Sequence, residues 1–196
     1  MPQFDLRGIK IAEYTNTAGV VSYSGAQSIG DAMNVTLELR YAEGRLYAES
    51  TLAEYLRKAT GGTISIGVKY IPDAAQQTLY GSRSKSRSVT ISSQTKTITS
   101  LQRGANDVPK YVGVAFYAPD MVDGVEKYTV VFITRALFGA PSMTLQTMGE
   151  SINFQTPTTT GEFLPDHSAN KELVEVGVCD SVAEAQAWIN LVLGVT

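Results

Sequence analysis

The chain has 196 residues, 43% of them hydrophobic, a formal net charge of −3 and a single cysteine. This length and composition are typical of one globular domain and argue against disorder. One cysteine excludes an intramolecular disulfide, so packing must provide the stability. No stretch approaches the roughly 20 apolar residues of a membrane-spanning helix, and no apolar signal segment follows Met1. We therefore expect no membrane insertion and no export by a cleaved signal.

The charge is distributed unevenly along the chain. Residues 82–110 contain six basic side chains against Asp107 alone, a net charge of +5, whereas the other residues carry −8. The overall charge indicates neither a nucleic-acid-binding nor a membrane-surface protein, but the asymmetry between segments requires an explanation.

The first clear element is a strand. Apolar and polar residues alternate from Met33 to Tyr41, which predicts a strand with one buried face and one solvent-exposed face. Ala42-Glu43-Gly44 is predicted to turn the chain, and residues 45–49 to form the return strand of a hairpin. Residues 51–60 fit either a short helix or a strand, and residues 63–70 are predicted to form a strand.

A short helix is predicted to start at Ile71-Pro72-Asp73, with proline at the first helical position and an acid in the first turn. Ala75 and Leu79 share one face, and Gly81 provides a C-terminal stop. We expect this helix to pack on the predicted strands.

Residues 82–107 are basic, rich in serine and threonine, and almost without apolar side chains. Such a segment cannot bury enough apolar surface to offset its own ordering entropy. It is predicted to be a long loop or a polar hairpin, ordered mainly by a partner. The residues expected to contact that partner are its five basic side chains Arg83, Lys85, Arg87, Lys96 and Arg103.

The segment from Tyr111 to Gly161 is predicted to form four consecutive strands, broken at Pro119–Gly124, Gly139–Pro141 and Gly149–Glu150. Its second strand is apolar on both faces, which is typical of a strand at the centre of a core.

A second helix is predicted near the C-terminus. Ser181 and Glu184 form a Ser-x-x-Glu capping box, and Gly194 follows the last helical residue. Apolar residues at helical spacing predict the packed face, which comprises Ala185, Trp188, Leu191 and Val192.

No residue constellation indicates catalysis, a metal or a cofactor. The only histidine, His167, lies in a loop without a partner motif and is expected to be solvated. Cys179 is expected to be a buried, inert thiol rather than a nucleophile. Asp120 and Asp123 are expected to solubilise a hairpin turn rather than to bind calcium. We therefore expect a protein that is not an enzyme and that needs no cofactor.

These elements predict an α+β fold that is mainly antiparallel β, with two short helices on a sandwich-like or barrel-like set of strands. No interdomain linker is recognisable, so residues 1–196 are predicted to form a single domain with the polar insertion at about 82–107.

The order of motifs resembles the major tail protein (tail tube subunit) family of long-tailed bacteriophages. The resemblance extends over about three quarters of the chain, and the motifs that carry it lie in residues 41–44, 61–67, 73–81 and 111–161. Its most specific part is the spacing Tyr111-x-Gly113-x-Ala115-Phe116, Gly124-x-x-x-Tyr128, Phe138-x-x-Pro141 and Phe154-x-Thr156-Pro157-x-x-x-Gly161. The chain departs from the family in its longer, more polar insertion and in having no added C-terminal immunoglobulin-like domain.

The resemblance implies a structural virion protein that assembles in the host cytoplasm into hexameric rings, which stack into a helical tube for DNA ejection. Strands of neighbouring subunits would join into one barrel. The implied partners are further copies of the chain, a tape measure protein, tail terminator and tip proteins, and DNA that passes transiently through the channel.

DNA must slide through such a channel, so its lining should be neutral-polar or acidic. The favoured lining is the polar face followed by an acidic turn, comprising Asn34, Thr36, Glu38, Arg40 and Glu43. An alternative lining comprises Thr144, Gln146, Asn153 and Gln155. Either set could instead face solvent on the outer wall.

A competing hypothesis is a β-sandwich binding module for carbohydrate or a host surface, as on a tail fibre or adhesin. Such a site would need exposed aromatic side chains, whereas the only tryptophan, Trp188, is predicted to face the core. The basic segment could also be a nucleic-acid arm, but it lacks interleaved aromatic residues. A solvated loop or a tongue that docks on an acidic neighbour explains it better.

Overall fold

The computed structural model describes residues 5–122, 124–141, 147 and 156–195. The fold is mostly antiparallel β with two short helices, which confirms the predicted class. The elements in chain order are β1 (Arg7–Thr17), β2 (Val20–Ser28), β3 (Ala32–Ala48), β4 (Thr51–Val68), α1 (Asp73–Tyr80), β5 (Arg83–Ile91), β6 (Gln94–Gln102), β7 (Val112–Val122), β8 (Val125–Phe138), β9 (Thr158–Phe163), β10 (Val174–Cys179) and α2 (Val182–Val192).

Eight strands form one antiparallel sheet in the order β2-β1-β7-β8-β9-β4-β3, with β10 as an additional partner of β8. Strand β8 pairs with β10 along residues 128–133 and with β9 along residues 136–138. The sheet therefore branches at β8. Over the described residues it does not close into a barrel.

The main core lies between distant parts of this sheet and helix α1. Ile11 of β1, Ile64 of β4, Leu79 of α1 and Ile133 of β8 are fully or almost fully buried in one cluster. A second, smaller core fills the opposite face of β7 and β8, where Ala185 and Ile189 of α2 pack. Strand β8 separates the two cores, as its apolar character on both faces predicted.

Both helices form where their local signals lie. The hydroxyl of Ser181 accepts a hydrogen bond from the Glu184 N–H at 3.2 Å, and the Glu184 carboxylate accepts one from the Asp180 N–H at 2.8 Å. Helix α1 ends at Gly81, whose φ of 68° is the left-handed conformation that glycine adopts at least cost. Pro72 occupies the N-cap of α1 rather than its first helical position. The prediction for the packed face of α2 is wrong for Leu191, which is exposed because Ile189 and Leu193 face the core.

The hairpin predicted to turn at Ala42-Glu43-Gly44 turns later. Strand β3 continues through these residues to Ala48, and the turn lies at Glu49 and Ser50, whose φ angles are 51° and 65°. Residues 51–60 belong to β4, so of the two structures considered for them the strand is correct. The expected buried face of residues 33–41 is also wrong in part. Val35 and Leu37 are half-buried, whereas Met33, Leu39 and Tyr41 are exposed because β3 is an edge strand that extends beyond the core.

The break predicted at Pro119–Gly124 is shorter than expected. Strand β7 continues through Pro119 to Val122, and Asp120 is therefore buried on a strand rather than exposed in a turn. Its Oδ2 accepts a hydrogen bond from the Thr129 hydroxyl at 3.4 Å. Asp123, the predicted strand after Pro141 and the break at Gly149–Glu150 lie outside the described residues.

Candidate assembly surfaces

Four of the predicted channel-lining residues share one polar face near the edge of the sheet. Asn34, Thr36, Glu38 and Arg40 alternate along β3 and point away from the half-buried Val35 and Leu37. The same face continues across the neighbouring strands β4 and β9, where the strand register places hydroxyl and carboxylate side chains next to those of β3. These residues are Thr63, Ser65, Thr158, Thr160 and Glu162.

Hydrogen bonds and one ion pair connect this polar face. The Asn34 Oδ1 accepts a hydrogen bond from the Gly67 N–H at 3.0 Å. The guanidinium of Arg40 lies 3.3 Å from the Glu162 carboxylate. Glu38 has no cationic partner within 4 Å among the residues that the structure describes. The face therefore contains one cation and two carboxylates, a net charge of −1.

Glu43 does not belong to this face. It lies an odd number of residues from Arg40 along β3, so its side chain points to the opposite side of the strand. There it pairs with Arg45 at 3.6 Å and with Arg57 at 3.4 Å. The alternative lining of Thr144, Gln146, Asn153 and Gln155 lies outside the described residues.

Beyond Arg40, strands β3 and β4 form a projecting two-stranded arm, residues 41–59. At about 3.3 Å per residue, the eight residues from Tyr41 to Ala48 span about 26 Å. Nearly every residue of the arm is exposed on both faces. Exposed apolar and aromatic side chains are concentrated in it, namely Tyr41, Leu46, Tyr47, Leu52, Tyr55 and Leu56.

The two faces of the arm differ. One face is internally paired, since Arg57 stacks on the Tyr41 ring at 3.9 Å, Arg45 on the Tyr55 ring at 5.5 Å, and both arginines pair with Glu43. The other face presents Leu46 and Leu56, which are 57% and 72% exposed. Sequence reasoning missed the arm because the residues predicted as a turn are in fact strand.

The polar segment forms a separate two-stranded sheet, β5 and β6, so of the two predicted forms the hairpin is correct. Its register places all of the cations of the two strands on one face, here called the basic face. Arg87 pairs with Ile98 and Val89 with Lys96, so that exposed apolar side chains lie among the cations. The basic face comprises Arg83, Lys85, Arg87, Val89, Ile91, Lys96 and Ile98.

The opposite face of this hairpin, the hydroxyl face, carries only serine and threonine up to its base. Ser86 and Thr99 lie 3.3 Å apart through their hydroxyl oxygens, and Thr90 and Thr95 lie 3.4 Å apart. The face comprises Ser84, Ser86, Ser88, Thr90, Thr95, Thr97 and Thr99.

Two of the five predicted contact cations of this segment are engaged within the subunit. Arg83 pairs with Asp107 at 3.0 Å, and Arg103 donates a hydrogen bond to the Gln76 side-chain oxygen at 2.9 Å. Within the described residues, Lys85, Arg87 and Lys96 have no carboxylate within 4 Å.

An open cleft of about 560 Å³ separates the start of β3 from the sheet formed by β7, β8 and β10. Its lining is mainly apolar and includes Leu6, Val35, Phe116, Val131 and Val176. Its polar lining residues are Asp5, Asn34 and Thr129.

His167 and Cys179 are the only histidine and the only cysteine of the chain. His167 is exposed as expected, but its Nδ1 lies 2.7 Å from the Tyr14 hydroxyl, so it is tethered to the core. Cys179 is half-buried rather than buried, and burial together with Glu184 and Asp180 raises the pKa of its thiol. A raised pKa keeps the thiol protonated and weakly nucleophilic.

Within the described part of the chain, no three histidine, cysteine, aspartate or glutamate side chains are grouped as metal ligands would be. Neither α1 nor α2 is long and apolar enough to cross a membrane. No protein-family model matches the sequence, and no curated protein matches it.

Proposed function

We propose that this protein is a self-assembling structural subunit of the tail tube of a long-tailed bacteriophage. Copies join into rings, the rings stack into a tube, and the tube conducts DNA from the virion into the host. Tape measure, terminator and tip proteins are its further partners in this proposal.

The observation that carries the proposal is the projecting arm. A hairpin that leaves the core with apolar side chains exposed on it is unfavourable in an isolated subunit. Burying one leucine side chain contributes about 1.5–3 kcal/mol, so Leu46 and Leu56 alone provide a substantial driving force when a neighbour covers them.

The edges of the sheet support the same proposal. Strands β2 and β3 lie at the two ends of the strand order, β10 is a further edge strand of the described sheet, and β3 is 17 residues long. A long edge presents unpaired N–H and C=O groups that template pairing with another chain. Head-to-tail pairing that closes into a ring removes every such edge.

The polar face of β3, β4 and β9 suits a channel lining. Its net charge of −1 repeats in every subunit of a ring, and such a lining does not retain phosphate. Because Glu43 points to the other side, the lining that we propose consists of Asn34, Thr36, Glu38 and Arg40 with the hydroxyl side chains of β4 and β9.

Assembly of the purified protein tests this proposal. At high concentration and without nucleic acid, it should form hollow tubes of uniform width in negative-stain images and should sediment far faster than a monomer. A variant with residues 43–57 replaced by a two-residue Asn-Gly turn should retain the circular dichroism of the parent but stay monomeric. A monomer at every concentration and salt, with empty grids, excludes the tail tube and favours the binding-module alternative.

A further inference from the structure

Many charged side chains of the described residues lack an oppositely charged partner within 4 Å, and two groups of them, of opposite sign, lie on the two projecting hairpins. Three unpaired cations, Lys85, Arg87 and Lys96, share the basic face of the β5–β6 hairpin. Two carboxylates without a cationic partner within 4 Å, Glu49 and Glu54, lie at the tip of the arm.

The arm tip, residues 46–56, has a composition complementary to that of the basic face. It carries Glu49 and Glu54 and no cation, and its exposed apolar side chains include Leu46 and Leu56. The basic face carries its cations among Val89, Ile91 and Ile98, the last two 57% and 52% exposed. Each surface therefore presents charge of one sign among apolar groups.

We infer that the arm tip of one copy docks on the basic face of the β5–β6 hairpin of a neighbouring copy. The inference rests on the proposed self-assembly and assigns its second contact, distinct from the pairing of sheet edges. Both surfaces are hairpins that project from the core, so they can meet without any change in the core.

The physical reason is mutual desolvation with charge compensation. Apolar side chains at the centre of the contact provide the affinity, whereas ion pairs at its rim fix the register and exclude wrong partners. Neither surface would bind well to itself, because like charges would then meet. The contact is thus heterologous, and it propagates from copy to copy.

The hydroxyl face explains why the hairpin presents only one side to this neighbour. It has neither charge nor apolar surface along Ser84, Ser86 and Ser88 of β5 or along Thr95, Thr97 and Thr99 of β6. Such a face remains hydrated at little cost. It therefore provides a matched place for control substitutions on the same hairpin.

Reversal of charge on both surfaces tests the docking in the full-length protein. A basic-face variant (Lys85→Glu, Arg87→Glu) and a tip variant (Glu49→Lys, Glu54→Lys) should each raise the protein concentration needed for tube formation by about tenfold or more. Their combination, with the net charge of the parent, should restore assembly to within about threefold of the parent. Light scattering against concentration measures this value.

A pair of variants with equal charge change separates docking from whole-molecule repulsion. Lys85→Ser with Arg87→Ser, and Ser86→Glu with Ser88→Glu, both lower the net charge by two. Only the first should weaken assembly. Equal weakening by both would overturn the inference, because the position of the charge would then be irrelevant.

Three further outcomes distinguish the possible errors. Assembly of the parent without rescue by the combined variant overturns the docking but leaves the proposed tube. A parent that never assembles overturns both proposals. Binding of a single-stranded 30-mer DNA that requires Lys85 and Arg87, together with normal assembly of the tip variant, shows that the basic face is a nucleic-acid surface instead.

Discussion

Single residues of helix α2 differ sharply in what surrounds them. Ile189 is fully buried against β7 and β8, Trp188 is half-buried with its ring 6.4 Å from that of Phe132, and Leu191 is 75% exposed. Three apolar side chains on less than one helical turn therefore lie in three different environments. Their substitution should separate core packing from surface exposure.

Ile189→Ala should lower the free energy of unfolding by about 2–4 kcal/mol, because it leaves a cavity that the sheet cannot fill. Trp188→Ala should cost about 2–3 kcal/mol, since part of the ring is already hydrated. Leu191→Ala should change stability by less than about 0.5 kcal/mol. Urea denaturation of the three variants measures these losses. Equal losses for Ile189→Ala and Leu191→Ala would show that α2 packs by a different face.

Local signals predicted correctly those residues whose structure depends on near neighbours. The N-cap at Ser181 and the stop at Gly81 form as predicted because each involves residues only a few positions apart, although the Glu184 carboxylate accepts from the Asp180 N–H rather than from that of Ser181. Asp120 could not be predicted in the same way. Its burial results from Thr129 and from β7 continuing past a proline, which no spacing in the sequence reveals.

At the scale of elements, the two projecting hairpins share one kind of turn. Ala48 pairs with Thr51 and Ile91 with Gln94, so each turn has two residues. All four turn residues have positive φ, at 51° and 65° in the arm and at 49° and 63° in the β5–β6 hairpin. A two-residue turn with positive φ at both positions is of type I′, which prefers Asn-Gly. Neither turn has that sequence, so no local signal indicated the position of either turn.

Replacing Ser92 and Ser93 by Asn-Gly should stabilise the β5–β6 hairpin by about 1 kcal/mol, since glycine and asparagine adopt positive φ more readily than serine. Hydrogen exchange should then slow about fivefold in residues 84–101, with no change in β1, β7 or β8. Ser92→Val with Ser93→Val is the matched control and should speed exchange in the same residues. Slower exchange in both variants would exclude a type I′ turn.

The period-two pattern of residues 33–41 predicted a strand correctly but its burial incorrectly. Alternation indicates only that the two faces of a strand differ; it does not reveal whether anything covers the apolar face. The core covers Val35 and Leu37 and ends before Leu39 and Tyr41. In the proposed assembly, other copies cover the apolar strand face. The sequence pattern then predicts burial at Leu39 and Tyr41, whereas the single chain leaves both side chains exposed.

At the scale of the whole molecule, the proposed channel places the polar face of β3, β4 and β9 on the inside of the assembly. The polar face of β3, β4 and β9 has a net charge of −1 from Glu38, Glu162 and Arg40. Thr36→Lys with Glu38→Lys changes that charge to +2 in every subunit. We expect the variant to assemble, because the substituted side chains are exposed and on the side of β3 opposite the core.

Tubes of this lysine variant should retain short double-stranded DNA, whereas parent tubes should not. Rings of lysine along a channel release counterions from the phosphates, so retention should fall steeply with salt. Co-sedimentation of tubes with a labelled 20-base-pair duplex at 50 and 200 mM salt measures it. The control variant adds the same three charges to the hydroxyl face through Ser88→Lys, Thr97→Lys and Thr99→Lys. It should bind duplex only weakly and on the outside of the tube, where nuclease digests the duplex. Duplex held by the β3 variant should resist nuclease. Equal digestion in both variants would place this polar face on the outer wall, and assembled tubes that bind no duplex would show that the face does not line an open channel.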